Sequence, residues 1–315
     1  MTALYTFKSK KTVGLVDATG QVHVAPVYDR IEPLAEERRL VERGFIRGFL
    51  DAEGQVAIPL QFGNASSFAH GLAMASETIA GAQGLIDTDG AWVLPAKYGR
   101  PTPVSPELAV ARPSDKETWG LLEIATEKWR IEPVYKAMRG MGDGLVRFIQ
   151  KRKMGAMTFD GKVFLKDAWG SLHRNDDGTF LARAKKKASW QLLDAKGAPA
   201  KELGSFDDLH PFVSGFAPAK DGKQWGLVDQ DGAWVLDVCS PMPPKPAVDV
   251  GPYRVYLKRY GYASPGQGVI VEPTFEHATV FEAGHAVADG DVIDGTGKVV
   301  ATIDASARPV YRIHI

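Results

Sequence analysis

The chain has 315 residues, 44% hydrophobic and 24% charged, with 38 basic and 38 acidic side chains and a formal net charge of zero. This balance excludes a disordered composition and gives no global pull towards nucleic acid or an anionic membrane. A single cysteine, Cys239, excludes an internal disulfide and fits a reducing compartment.

The first residues, Met1-Thr2-Ala3-Leu4-Tyr5-Thr6-Phe7-Lys8, lack the charged start and apolar stretch of a secretion signal. No window approaches the roughly 18 unbroken apolar residues of a membrane helix. The expectation is a soluble, cytoplasmic protein.

An internal repeat dominates the rest. Its clearest copy is Trp225-Gly226-Leu227-Val228-Asp229-Gln230-Asp231-Gly232. Earlier copies begin at Val13-Gly14, Arg47-Gly48, Gln83-Gly84, Trp119-Gly120, Met154-Gly155 and Trp190-Gln191, and later ones at Tyr260-Gly261 and Asp291. The glycine-equivalent positions are 14, 48, 84, 120, 155, 191, 226, 261 and 291, so successive spacings are 34, 36, 36, 35, 36, 35, 35 and 30. A register held over eight intervals defines about nine repeats, each of which buries its apolar face on a neighbour.

Each repeat reads as three short strands. A small-residue alternation comes first, as in Leu72-Ala73-Met74-Ala75. The glycine-containing strand follows, and then a third such as Val22-His23-Val24-Ala25-Pro26. The Asp-x-x-Gly between the second and third strands (Asp17/Gly20, Asp51/Gly54, Asp87/Gly90, Asp194/Gly197, Asp229/Gly232, Asp294/Gly297) reads as a tight turn. The proline closing the third strand predicts that pairing stops there. The aromatics just beyond it, Tyr28, Phe62, Tyr98, Tyr135 and Phe275, read as staples between repeats. A Phe-x-x-Gly element (Phe68/Gly71, Phe212/Gly215, Phe281/Gly284) turns the chain into the next repeat.

These residues resemble the WG-repeat family of bacterial β-repeat proteins: Trp-Gly, an apolar pair, Asp-x-x-Gly, then proline and an aromatic. Only Trp119/Gly120 and Trp225/Gly226 keep the literal pair. The resemblance implies a β-repeat scaffold, with no substrate or catalytic residue, and contexts that include proteins encoded beside secreted toxins.

The fold expected is all-β: three-stranded antiparallel meanders stacked into an open superhelical solenoid, with a closed propeller-like ring as the alternative. Repeats one to seven occupy 1–237, an irregular proline-rich connection 238–257, and repeats eight and nine with a cap 258–315. The end strands expected are Leu4-Tyr5-Thr6-Phe7 and Pro309-Val310-Tyr311-Arg312-Ile313.

Candidate chemistry is sparse. Asp87-Thr88-Asp89-Gly90 and Asp229-Gln230-Asp231-Gly232 look like the start of a calcium loop but lack its distal bidentate Glu, so they read as turns. The seven histidines show no zinc spacing; only His277 and His285 share a repeat and could converge. No phosphate, dinucleotide or nucleophile motif occurs, and Cys239 reads as an inert buried thiol. No catalytic residue, metal or cofactor is therefore expected.

Two polar features stand out. Cations recur on the turn between the first and second strands: Lys8, Lys10 and Lys11; Lys151, Arg152 and Lys153; Lys185, Lys186 and Lys187; Lys220 and Lys223; Lys258 and Arg259. They predict a basic edge for an acidic protein surface, or an edge that blocks aggregation. Glu42 and Glu77 interrupt it, and its lack of stacking aromatics argues against nucleic acid. The second feature is the stiff loop Ser240-Pro241-Met242-Pro243-Pro244-Lys245-Pro246, a candidate partner loop through Pro241, Met242, Pro243 and Pro244, or a joint between sub-arrays. A smaller loop of this kind is expected over 99–106.

The function expected is a non-enzymatic scaffold for protein–protein interaction, with no membrane and no nucleic-acid partner. The alternatives are an immunity protein that neutralises a bacterial toxin or effector, and an enzyme with a site near His277 and His285.

Overall fold

A computed structural model describes residues 3–247 and 251–303, apart from the side chains of Val238 and Cys239. The thiol of Cys239, the end strand expected at 309–313 and His314 lie outside the described residues. The described chain is all-β, with no helix, and forms small antiparallel sheets in which sequence neighbours pair. It divides between Asp167 and Ala168 into two compact parts, the first holding the sheets of repeats one to five and the second those of six to nine.

The period and the second and third strands stand as expected. The three-strand expectation is corrected for most repeats. Repeat one has three strands, Leu4–Ser9, Thr12–Asp17 and Val22–Tyr28, but repeats two, five, six and seven have four. The added strand has two residues in repeats two and seven (Arg30–Ile31, Asp208–Leu209), four in repeat six (Ser171–Arg174) and six in repeat five (Ala137–Gly142), and it pairs with the outer side of the first strand. The two-residue strands carry no measurable period, which is why they escape a pattern reading. Repeats three and four share one seven-stranded sheet, because Trp92–Pro103 runs on from the third strand of one into the added strand of the other. The loop expected over 99–106 is thereby corrected: a register shift between Gly99 and Thr102 accommodates the prolines inside a strand.

The glycine after the tryptophan position has a mechanical cause. In repeat three Gln83 pairs with Tyr98 and Leu85 with Leu94, so residues 95–97 bulge opposite Gly84 alone. A Cβ on Gly84 would lie 2.1 Å from the Leu94 carbonyl oxygen. Repeat seven repeats the geometry: Trp225 pairs with Ser240, Leu227 with Leu236, and a Cβ on Gly226 would lie 2.3 Å from the Leu236 oxygen. The repeat proline sits in this bulge, as Pro26, Pro59, Pro95, Pro133 and Pro273, where no ladder N–H is needed. Pairing thus does not stop at the proline; it resumes at the aromatic, which lies opposite the tryptophan position.

The Asp-x-x-Gly turns form as expected. The Asp87 carboxylate accepts from the N–H groups of Asp89 and Ala91 at 3.0 and 2.9 Å, and Gly90, at φ +85°, donates to the Asp87 carbonyl. In repeat five Thr158 takes the aspartate's place and Gly161 still closes the turn. These turns lean on the preceding repeat: the Cβ position of Gly54 abuts Val24, that of Gly90 abuts Ile58, and that of Gly297 abuts Val271.

Aromatics join neighbours. Phe62 meets Trp92 edge-on at 6.1 Å, Tyr98 meets Trp129 at 6.3 Å, and Phe206 meets Trp234 at 5.5 Å, each pair linking one repeat to the next. Such contacts add about 0.5–1.5 kcal/mol beyond area burial. Phe68, Phe212 and Phe281 of the Phe-x-x-Gly turns are buried, with Phe212 in one core with Trp190.

Candidate functional site

The tryptophan position, next to the glycine that faces the bulge, also organises the polar surface. Wherever an aromatic stands there, a cation from the first strand covers its ring. Arg112 lies over Trp119 at 6.0 Å, Arg183 over Trp190 at 4.3 Å, Lys220 over Trp225 at 5.7 Å and Arg254 over Tyr260 at 4.9 Å. Repeat two replaces this pair by Arg47 and Glu42 at 2.9 Å. The cross-strand pair is the unit that stabilises a sheet surface, and cation–ring contacts are its version here. A basic residue about five to seven positions before the tryptophan was the signal in the sequence.

The candidate basic residues occupy the hairpin turns expected of them. Lys151 and Arg152 form an exposed turn in repeat five with φ of 45° and 67°, and Lys153 opens the next strand. In the second compact part Lys185, Lys186 and Lys187 are exposed at the turn of repeat six, Lys220 and Lys223 flank the turn of repeat seven, and Lys258 and Arg259 form that of repeat eight. Lys185, Lys186, Lys187, Lys223 and Lys258 make no ion pair among the described residues, whereas Lys220 is partly engaged by Trp225.

The proline-rich loop and the basic turn of repeat eight meet. Met242, Tyr256, Lys258, Arg259, Tyr260 and Glu276 line a surface groove of about 470 Å³. Ser240 takes the register place of the missing aromatic; it is fully buried, its Oγ lies within hydrogen-bond distance of the Met242 and Tyr256 carbonyls, to either of which its single proton can go, and it accepts from the Met242 N–H. That fixes the loop's start. A bridge between Lys245 and Arg254 fixes its end, so the prolines hang between two anchors, with Pro241 and Met242 exposed, Pro243 half-buried and Pro244 buried. Tyr256 meets Tyr260 at 4.9 Å with the rings tilted by 56°, and Arg259 reaches the Thr274 carbonyl at 2.9 Å and Glu276 at 3.4 Å. In the same sheet, burial and then the Asp176 charge push the Tyr253 phenol up to about 12. Burial likewise raises Tyr262, whose hydroxyl donates to Thr279.

His277 and His285 are not brought together. Asp289 donates to the His277 carbonyl, while His285 begins the strand His285–Ala288. Four extended residues, about 13 Å, separate the two ends. The two aspartate-rich turns use carboxylate oxygens on their own backbone, at Asp87 and at Asp229. No group of three or more His, Cys, Asp or Glu that could hold a metal occurs among the described residues.

The family model described as WG containing repeat matches residues 48–77 and 84–100. These two stretches are similar to WG repeats. The two matched stretches start at the glycines of repeats two and three, so the WG glycine is the residue opposite the bulge. No curated protein matches the chain. Among solved structures, Kluyveromyces lactis Hsv2 with its loop 6CD replaced by a Gly-Ser linker aligns with TM-score 0.51 and 7% identity over 75% of this chain and 94% of that one. A eukaryotic initiation factor aligns at 0.48 and 11% identity, over 96% of this chain and 85% of that one. The computationally designed Ika8 protein aligns at 0.46 and 11%, over 95% of each chain. Likeness at such identity bears on the fold alone.

Proposed function

We propose that this WG-repeat chain is a non-enzymatic scaffold that binds a protein partner through the basic hairpin turns of repeats six to eight. The observation that carries the reading is the group of cations on these turns with no ion-pair partner among the described residues, Lys185, Lys186, Lys187, Lys223 and Lys258. Three adjacent like charges repel one another, and an acidic partner relieves that repulsion while steering its own approach. The groove of repeat eight adds exposed apolar area to the charge.

The test is a pull-down from native lysate on the immobilised full chain, followed by affinity measurement on the protein recovered. A stoichiometric partner is expected, with affinity falling at least tenfold for the K185E/K186E/K187E variant and falling with salt. Recovery of no stoichiometric partner, or an affinity that ignores the triple substitution, contradicts the reading.

A further inference from the structure

We infer that the groove of repeat eight takes an acidic peptide segment with one apolar side chain, the apolar group seated between Met242 and the two tyrosines and the flanking carboxylates on Lys258 and Arg259. The inference rests on the scaffold reading and commits it to one place and one chemistry.

Charge complementarity selects the occupant. Two cations, Lys258 and Arg259, line the groove against one lining carboxylate, Glu276. Glu276 is itself spoken for by Arg259 at 3.4 Å. Asp289 receives the N–H groups of Glu276 and His277 at 2.8 Å each, so its charge is turned into the loop. Lys258 has no anionic partner among the described residues and stands exposed at the hairpin tip with φ of 72°. An incoming carboxylate therefore meets a surplus of positive charge.

The apolar half of the site is as specific. Met242 is 42% exposed, held there by the Ser240 anchor behind it. A thioether in one groove with two aromatic rings adapts to varied apolar side chains. A nucleobase is a poorer fit, because base stacking needs an open ring face. Tyr260 has lent its ring to Arg254 at 4.9 Å and to Tyr256 at 4.9 Å. What remains for an occupant is ring edge and methionine, which suits an aliphatic side chain.

The test uses the full chain and fluorescence anisotropy with three labelled probes: Glu-Glu-Leu-Glu-Glu, its Lys-Lys-Leu-Lys-Lys counterpart and a thymidine oligonucleotide. The acidic peptide is expected to bind at least tenfold more tightly than either other probe, with affinity falling as salt rises. K258E is expected to weaken it at least tenfold. This variant touches no structural hydrogen bond, unlike a change at Arg259. M242S is expected to weaken Glu-Glu-Leu-Glu-Glu but leave Glu-Glu-Gly-Glu-Glu unchanged. Equal binding of acidic and basic peptides, tighter binding of the oligonucleotide, or indifference to K258E overturns the inference. If the peptide test fails while a lysate partner still depends on Lys185, Lys186 and Lys187, the groove inference falls and the scaffold reading stands; if both fail, both fall.

Discussion

Repeats six and seven are consecutive, and each begins with a buried tryptophan, Trp190 and Trp225. They differ at the next residue, Gln191 against Gly226. In repeat seven three residues, 237–239, bulge opposite Gly226. In repeat six Trp190 pairs with Gly204 and Gln191 directly with Glu202, so only Leu203 is extra. Repeat nine agrees: Asp291 holds the glycine's place, and its third strand pairs without a shift there. The two residues of the WG pair thus have separable tasks. Glycine admits a wide bulge in the third strand. Tryptophan fills the core and carries a cation on its ring. A repeat can lose the first and keep the second, as repeat six does.

The comparison can be broken at the tryptophan first. Trp190 is fully buried, its Nε1 donates to the Phe206 carbonyl at 3.1 Å, and Arg183 covers its ring. Trp190→Ala is expected to cost about 3–5 kcal/mol in denaturant unfolding, the range for emptying a large aromatic site. A loss below 1 kcal/mol would show that repeat six does not depend on its core tryptophan.

A gentler change sharpens the role of residue 191. Gln191→Gly restores the WG pair without restoring the bulge, since the spacing of 199–204 is unchanged. It is expected to lower stability by about 0.5–1 kcal/mol, the backbone entropy of a strand glycine. A gain in stability would mean that glycine is favoured there for its own sake.

The smallest effect belongs to the contact between repeats seven and eight. Tyr253 donates to the Val213 carbonyl at 3.2 Å, and its phenol is raised from 10.0 to about 12. A raised phenol favours the protonated folded form. Its contribution is whole below pH 10 and is lost as pH climbs towards 12. Tyr253→Phe should therefore lose stability slightly at neutral pH yet decline less steeply between pH 10 and 12; parallel curves for the two proteins would refute this role.

Much of the fold was legible in the sequence, because the period, the Asp-x-x-Gly turns and the Phe-x-x-Gly turns each depend on residues a few positions apart. The added strands were not, since Arg30–Ile31 and Asp208–Leu209 are held by pairing with a neighbour rather than by their own pattern. Ser240 in the aromatic's place was hidden for the same reason: its position is set by a register that only the bulge defines. Of the site, the exposed lysine turns were visible as charge. The groove was not, because it gathers Met242, the turn at 256–260 and Glu276 from separate segments. The ring-covering cations were within reach of a cross-strand count, had the first strand's register been known.

The most direct measurement compares Gly226→Ala with Gln191→Ala by equilibrium unfolding. Opposite the wide bulge, the new Cβ of Gly226→Ala meets the Leu236 oxygen at 2.3 Å, and a loss of about 1–3 kcal/mol or more is expected from the forced backbone shift. Gln191→Ala, facing a directly paired strand, should stay within about 0.5 kcal/mol of the parent. Equal losses at the two positions would contradict the claim that the glycine of a WG repeat exists to admit the bulge.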